Sequence, residues 1–305
     1  MFQKILCPVD FSPGSKQAMR IAVRLAGTAG AELTLAHAWH IPALAFAGEY
    51  PMPAGAIDGM VADEQRELAA AVAEATALGA PRVSSRFVDG LPWESLCDLL
   101  RADPTYDLAV MGTHGRTGFR RILLGSVAEQ VIRHAPCSVL TVRGRDAGPP
   151  FRHILCPIDL SASSRQAMNL AAELAAPDGL GIVLLHVLQL PPAQVVDPAT
   201  PPYAVEVERA ARRHVEEWAA ELRARVAVPV VTRVESGSPA ARALTALDAE
   251  MSFDLVVVGS HGRTGLTRVL IGSVAEQITR HAPCPVLVAR TRGARDSATA
   301  SLVMA

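Results

Sequence analysis

The chain has 305 residues, half of them hydrophobic, with 29 Lys and Arg against 30 Asp and Glu and a formal net charge of −1. That balance offers no general attraction for nucleic acid or anionic lipid, so any bound anion has to be held locally. No uninterrupted apolar run reaches the ~18 residues of a membrane span, and five scattered cysteines without a Cys-x-x-Cys pair argue against a disulfide framework or a thiolate metal site.

Short β-branched runs alternate with Ala/Leu-rich amphipathic segments along the chain, the pattern of a parallel sheet with helices packed on it. In order, the periodicity predicts a strand at about 4–9, a helix at 14–29, a strand at 31–38, a helix at 59–79 and a strand at 82–88. A helix at 92–102, a strand at 107–112, a helix at 125–134 and a strand at 137–143 complete the first half. The second half repeats the series, with strands at about 153–158, 180–187, 228–235, 254–259 and 285–290 and helices near 162–176, 203–225, 238–249 and 272–281. Leu108–Met111 and Leu255–Val258 are continuously apolar, as expected of central strands covered on both faces. Met1-Phe-Gln-Lys4 leads directly into the first strand pattern without the basic and apolar segments of a secretory signal, so a cytoplasmic location is expected.

The two halves are copies. Residues 114–137 read HGRTGFRRILLGSVAEQVIRHAPC and residues 261–284 read HGRTGLTRVLIGSVAEQITRHAPC, identical at three-quarters of the positions. Lys4-Ile-Leu-Cys-Pro-Val-Asp10 is echoed by His153-Ile-Leu-Cys-Pro-Ile-Asp159. The seam falls in the turn-forming run Gly144–Pro150, which predicts domains at 1–145 and 151–292 and a flexible tail at 293–305.

Each apolar fourth strand runs into the same glycine pattern. Gly112-Thr-His-Gly115, nine residues and Gly125-Ser126 in the first half become Gly259-Ser-His-Gly262, nine residues and Gly272-Ser273 in the second. Ligands on open parallel sheets bind beyond the carboxyl ends of the strands, where strand order reverses. Glycines there allow positive φ and close backbone approach, and the helix that follows offers free N–H groups and a positive dipole end to a phosphate. A lone Gly-x-x-Gly is usually just a turn. Two copies, each after an apolar strand and each ending in Gly-Ser before a helix, favour phosphate binding.

On these residues, with the Pro-x-Asp that closes the first strand and the Ala-Pro-Cys-x-Val-Leu final strand, the chain resembles tandem universal stress proteins of the ATP-binding branch. The resemblance covers all but the tail beyond about Arg292. It implies, in each half, a five-stranded parallel sheet of order 3-2-1-4-5 with helices on both faces and ATP across its carboxyl edge. It places Asp10 and Asp159 near ribose and adenine, and Ala38 and Val187 against adenine. Around the phosphates it places Gly112, Gly115, Gly125 and Ser126, with Gly259, Gly262, Gly272 and Ser273 in the second half, while Val127 and Val274 offer backbone N–H groups. Pro8, Met111, Pro157 and Val258 line the same strand ends. A magnesium or manganese ion would be held chiefly by the triphosphate and water. Departures from the pattern are small: Ala38 offers less apolar contact than Val187, and Asp159 is followed by Leu-Ser-Ala-Ser rather than Phe-Ser-Pro-Gly.

Other residues carry two readings. Arg116 and Arg263 could reach terminal phosphates or simply be solvated. His114 and His261 lie inside the cradle without a nucleophile or carboxylate pair, so a loop hydrogen bond is favoured over acid–base work. Cys7, Cys137, Cys156 and Cys284 read as small buried hydrophobes. The segments Ile41–Ile57 and Pro191–Pro202 could cover a nucleotide or be ordinary connections.

The function expected is an ATP-binding stress-response protein that uses nucleotide occupancy to regulate conformation or partner choice. No Walker-A pattern or paired acidic residues for two metals are present, so a dedicated catalyst is disfavoured. A slow ATPase or nucleotide transferase on the same sheet, and an assembly module with vestigial sites, are the alternatives. Both last strands, Ser138–Val142 and Pro285–Ala289, are apolar and lie at sheet edges in the family order. They are therefore expected to pair within the chain as a pseudo-two-fold dimer, with a homodimer of the whole chain as a weaker expectation.

Overall fold

A computed structural model of the chain describes residues 2–40, 55–113, 124–143, 148–189, 202–250, 252–262 and 271–290. The first half runs β1 (Lys4–Pro8), α1 (Pro13–Ala29), β2 (Glu32–Trp39), α2 (Ala56–Ala77), β3 (Arg82–Asp89), α3 (Pro92–Ala102), β4 (Leu108–Gly112), α4 (Ser126–His134) and β5 (Ser138–Val142). The second runs β6 (His153–Ile158), α5 (Ala162–Leu174), β7 (Gly181–Leu188), α6 (Pro202–Arg223), β8 (Val230–Ser236), α7 (Pro239–Ala249), β9 (Leu255–Gly259), α8 (Ser273–His281) and β10 (Val286–Ala289). The series of strands and helices expected from the periodicity is the one found. The tail at 293–305, and the greater part of the two candidate covering segments, lie outside the described residues; α2 already begins at Ala56, inside the first of them.

The ten strands of the described residues form one sheet in the order β3-β2-β1-β4-β5-β10-β9-β6-β7-β8. Each half therefore has the expected 3-2-1-4-5 order with every internal pair parallel. The last strands do pair with each other. β5 and β10 run antiparallel, with Thr141 opposite Val286, Leu140 opposite Leu287 and Val139 opposite Val288. Leu140 and Leu287 occupy equivalent positions of the repeat, so a pseudo-two-fold axis passes between them. Thr141 adds a hydroxyl bond to the Val286 carbonyl at 3.2 Å.

The helices divide between the two faces. α1, α2, α5 and α6 cover one, over a core that includes Ile5, Ile21, Leu33, Met168, Leu184 and Leu255. α3, α4, α7 and α8 cover the other, over Leu6, Leu96, Val131, Val183, Val256 and Ile278. Alternate residues of one strand thus serve opposite cores, Ile5 one and Leu6 the other, which is why central strands read as unbroken apolar runs. The five cysteines are all buried and free, and burial pushes the Cys7, Cys137, Cys156 and Cys284 thiols up to about 12. They pack as small hydrophobes, as expected. No helix among the described residues is long and apolar enough to cross a membrane.

Candidate functional site

β1 pairs with β2 on one side and β4 on the other, so the chain order reverses between β1 and β4, and again between β6 and β9. Open α/β sheets bind ligands in the crevice outside such carboxyl ends. Pro8 closes β1 and Pro157 is the penultimate residue of β6, and Asp10 and Asp159 follow those strands, each half-buried. The Asp10 carboxylate accepts from the Ser12 N–H (3.1 Å) and hydroxyl (2.6 Å), and Asp159 accepts from the Ser161 N–H (3.0 Å). Between each pair sits a non-glycine residue at positive φ, Phe11 at 63° and Leu160 at 64°. Such backbone is costly for a side-chain-bearing residue and persists only where its surroundings enforce it.

The serines then cap the helices. The Ser12 hydroxyl accepts from the Ser15 N–H at 3.3 Å to start α1, and Ser161 accepts from Ser164 at 3.2 Å to start α5. Beneath this turn His37 and His186, both buried, place Nδ1 at 2.7 and 2.8 Å from the Val9 and Ile158 carbonyls. His37 also stacks on Phe11, with ring centroids 4.7 Å apart, and meets Glu64 of α2 at 3.3 Å.

The other wall comes from β4 and β9. The Thr113 N–H donates to the Val142 carbonyl (3.2 Å), and the Thr113 carbonyl accepts from the Gly125 N–H (2.7 Å). Ser260 repeats both bonds, to Ala289 (3.0 Å) and from Gly272 (2.7 Å). Each glycine loop is thereby tied shut at its base, and α4 and α8 start from the tie.

The helices that start there differ from α1 and α5. Gly125 and Gly272 stand at their N-caps, and neither helix has a side-chain cap. Ser126 and Ser273 are exposed, and Val127 and Val274 half-buried.

The positive φ expected at Gly112 is not found. Gly112, Gly125, Gly259, Gly262 and Gly272 are all absent from the positive-φ residues. A Cβ on Gly112 would lie 2.8 Å from the Gly14 backbone, and one on Gly259 would lie 2.8 Å from the Ser163 carbonyl carbon and 2.9 Å from the Ser164 nitrogen. These two residues admit the heads of α1 and α5. Gly262 does face the crevice, where a Cβ would lie 2.9 Å from the Asp159 carboxylate. Gly125 leaves room for the Thr113 carbonyl, 2.9 Å from where its Cβ would sit.

Ala38 and Val187 are the penultimate residues of β2 and β7, at equivalent half-buried positions, and Met111 and Val258, the penultimate residues of β4 and β9, are buried against the core. His261 makes loop bonds: its Nδ1 lies 3.0 Å from the Ser260 hydroxyl and its N–H donates to Ser163 at 3.3 Å. His114, Gly115, Arg116 and Arg263 lie outside the described residues. No group of three or more His, Cys, Asp and Glu suited to a metal occurs among the described residues.

Reading the sequence missed the buried serines and threonine of the crevice, Ser12, Ser15, Thr113, Ser164 and Ser260. Their recurrence at matching places in both halves, Thr113 opposite Ser260, was the available signal. It also missed a crossed ion-pair group between α4 and α8. Arg133 meets Glu129 at 3.0 Å and Glu276 at 2.9 Å, and Arg280 meets Glu129 at 3.3 Å and Glu276 at 3.4 Å.

The fold is that of a tandem, doubly wound α/β protein whose strand order reverses once in each half. The family model described as Universal stress protein family matches residues 1–143 and 150–290. A universal stress protein of Mycobacterium tuberculosis strain H37Rv is 33% identical over 298 residues, covering 94% of this chain and 96% of that one. One from Mycolicibacterium smegmatis is 32% identical over 298 residues, covering 94% and 97%. Among solved structures, a universal stress protein from Archaeoglobus fulgidus superposes with a TM-score of 0.66 at 21% identity, over 94% of this chain and 98% of that one. At that identity the likeness is one of fold. The chain belongs to the universal stress protein family, with two tandem domains of that family.

Proposed function

We propose that each half binds one adenine nucleotide, ATP with magnesium or manganese, and that occupancy regulates the protein's conformation or its choice of partner. The observation that carries this reading is the contrast between the two helix heads at each crevice. α1 and α5 are closed by their own serines, whereas α4 and α8 start at glycines with no side-chain cap and exposed serines. The first-turn N–H groups of a helix need acceptors, and an anion supplies them together with charge for the dipole. The triphosphate belongs there, on Gly125, Ser126 and Val127 and on Gly272, Ser273 and Val274. Ribose and adenine lie toward Asp10 and Ala38 in one half and Asp159 and Val187 in the other. The metal supplies charge neutralisation to the phosphates. This is the chemistry of a cytoplasmic binder whose output is occupancy.

Mass spectrometry of the small molecule released on denaturing the purified protein tests the ligand, with intact ATP expected. Calorimetry of nucleotide-free protein with Mg-ATP tests the count. Two sites per chain are expected, the first weaker because Ala38 buries less apolar surface than Val187. A firm value of one refutes function in both halves, and bound hydrolysis product would favour an enzyme.

A further inference from the structure

Each half ends in an arginine that reaches into the other half. Arg143 follows β5, and its guanidinium donates to the carbonyls of Thr279 (2.5 Å), Arg280 (2.8 Å) and Ala282 (3.3 Å), at the tail of α8. Arg290 follows β10 and donates to the carbonyls of Ile132 (2.6 Å) and Arg133 (2.9 Å), at the tail of α4. The last carbonyls of a helix lack intrahelical partners, and a cation among them also complements the dipole. Both groups are substantially removed from water: burial brings the Arg143 guanidinium down to about 10 and lowers Arg290 as well. In each the buried Nε has no acceptor among the described residues. An incompletely satisfied buried charge is costly, so this placement is not what solvation alone would choose.

The residue before each arginine serves the opposite crevice from the arginine itself. The Val142 carbonyl anchors Thr113 at the base of the first glycine loop, while Arg143 holds the tail of α8, whose head is Ser273. The Ala289 carbonyl anchors Ser260, while Arg290 holds the tail of α4, whose head is Ser126. Each helix has nine residues, about 14 Å at 1.5 Å per residue, short enough that its head follows its tail as one rigid piece. Leu124 and Ile271, immediately before the capping glycines, line a common cleft between the halves with Glu129, Arg133 and Glu276.

We propose that Arg143 and Arg290 are crossed positioning residues: Arg143 sets the phosphate-binding head of α8 in the second half, and Arg290 sets that of α4 in the first. This rests on the nucleotide reading above. It goes beyond it in making each site depend on a side chain from the other half.

The test uses the full chain in two backgrounds, Gly115→Asp, which leaves the second site, and Gly262→Asp, which leaves the first. Arg143→Met is expected to weaken Mg-ATP binding at the second-half site by about tenfold and to leave the first unchanged, with Arg290→Met giving the reverse. Arg143→Lys keeps the charge without the fork and should recover part of the loss. It also carries the test if the methionine variant does not fold. Hydrogen exchange on nucleotide-free protein gives a second readout: Arg143→Met should speed amide exchange in α8 and spare α4. Losses confined to the arginine's own half, equal losses in both, or no loss overturn the crossing. Failure of the unsubstituted chain to bind any nucleotide would remove the proposed function itself, a result distinct from intact binding with an uncrossed pattern.

Discussion

Gly112 and Gly259 each sit where a strand end meets a helix head. The decisive distances are those to Gly14 and to Ser163 and Ser164, all under 3.0 Å from the missing Cβ. Gly112→Ala and Gly259→Ala should therefore cost about 1–3 kcal/mol, the usual range for forcing extra atoms into close packing, read as a lowered urea midpoint. A midpoint equal to the parent's would show that the α1 or α5 head can retreat freely. Gly262 behaves differently because its neighbour is a carboxylate rather than backbone. Gly262→Asp sets like charges together and repels a triphosphate, so the second site should lose nucleotide while circular dichroism stays normal. Retention of two-site binding would mean that the phosphates lie elsewhere. The glycine spacing was legible because it repeats; the packing of Gly112 and Gly259 against helix heads was not, because close approach between distant segments leaves no local mark. Phe11 and Leu160 were harder still, since neither residue type hints at positive φ.

Strands and helices announced themselves by period, and the second copy checked each assignment made in the first. Divergence between equivalent elements was visible as letters but mute about consequence. β1 begins with Lys4 and β6 with His153. Lys4 bonds Asp103 at 2.7 Å and lies 4.7 Å over the Tyr106 ring, whereas His153 stacks on Phe253 at 3.9 Å with Nδ1 2.9 Å from the Ser252 hydroxyl. Lys4 and Thr105 hold the Asp103 carboxyl down at about 2. A depressed carboxylate contributes stability above its unfolded value near ~3.9 and loses it as the pH falls toward the folded one. Burial, outweighing the nearby Glu250 and Asp254, lowers His153 from 6.5. The unfolded chain then takes up that proton first, so this contribution fades as the pH drops through about 6.5. Urea midpoints followed against pH should thus decline in two windows. His153→Leu is expected to flatten the upper one and Asp103→Asn the lower, and an unchanged profile in either variant would reject that assignment. Asp103 is about a third exposed, so the lower step should be the smaller and should shrink with salt.

At the scale of the whole molecule, the β5–β10 pairing turns two open sheets into one, leaving β3 and β8 as the edges. The pairing followed from apolar last strands that would otherwise be edges; the crossed arginines did not, because Arg143 and Arg290 meet their carbonyls more than a hundred residues away. Strand seam, arginines and ion pairs together should hold the halves without the linker. A protease site placed between Gly144 and Pro150 and then cut should leave a single species of full mass by size exclusion and native mass spectrometry. Separation into halves would show that the linker, through effective concentration, is what keeps them together. The axis between Leu140 and Leu287 is only approximate, and that has a consequence for inheritance. In a homodimer built on a true axis every mutation is made twice, so two sites cannot part company. Here each is made once. The crevices already differ at Gly14 and Ser163 and at Ala38 and Val187, so this chain can drift toward two unequal thresholds while its sheet stays whole.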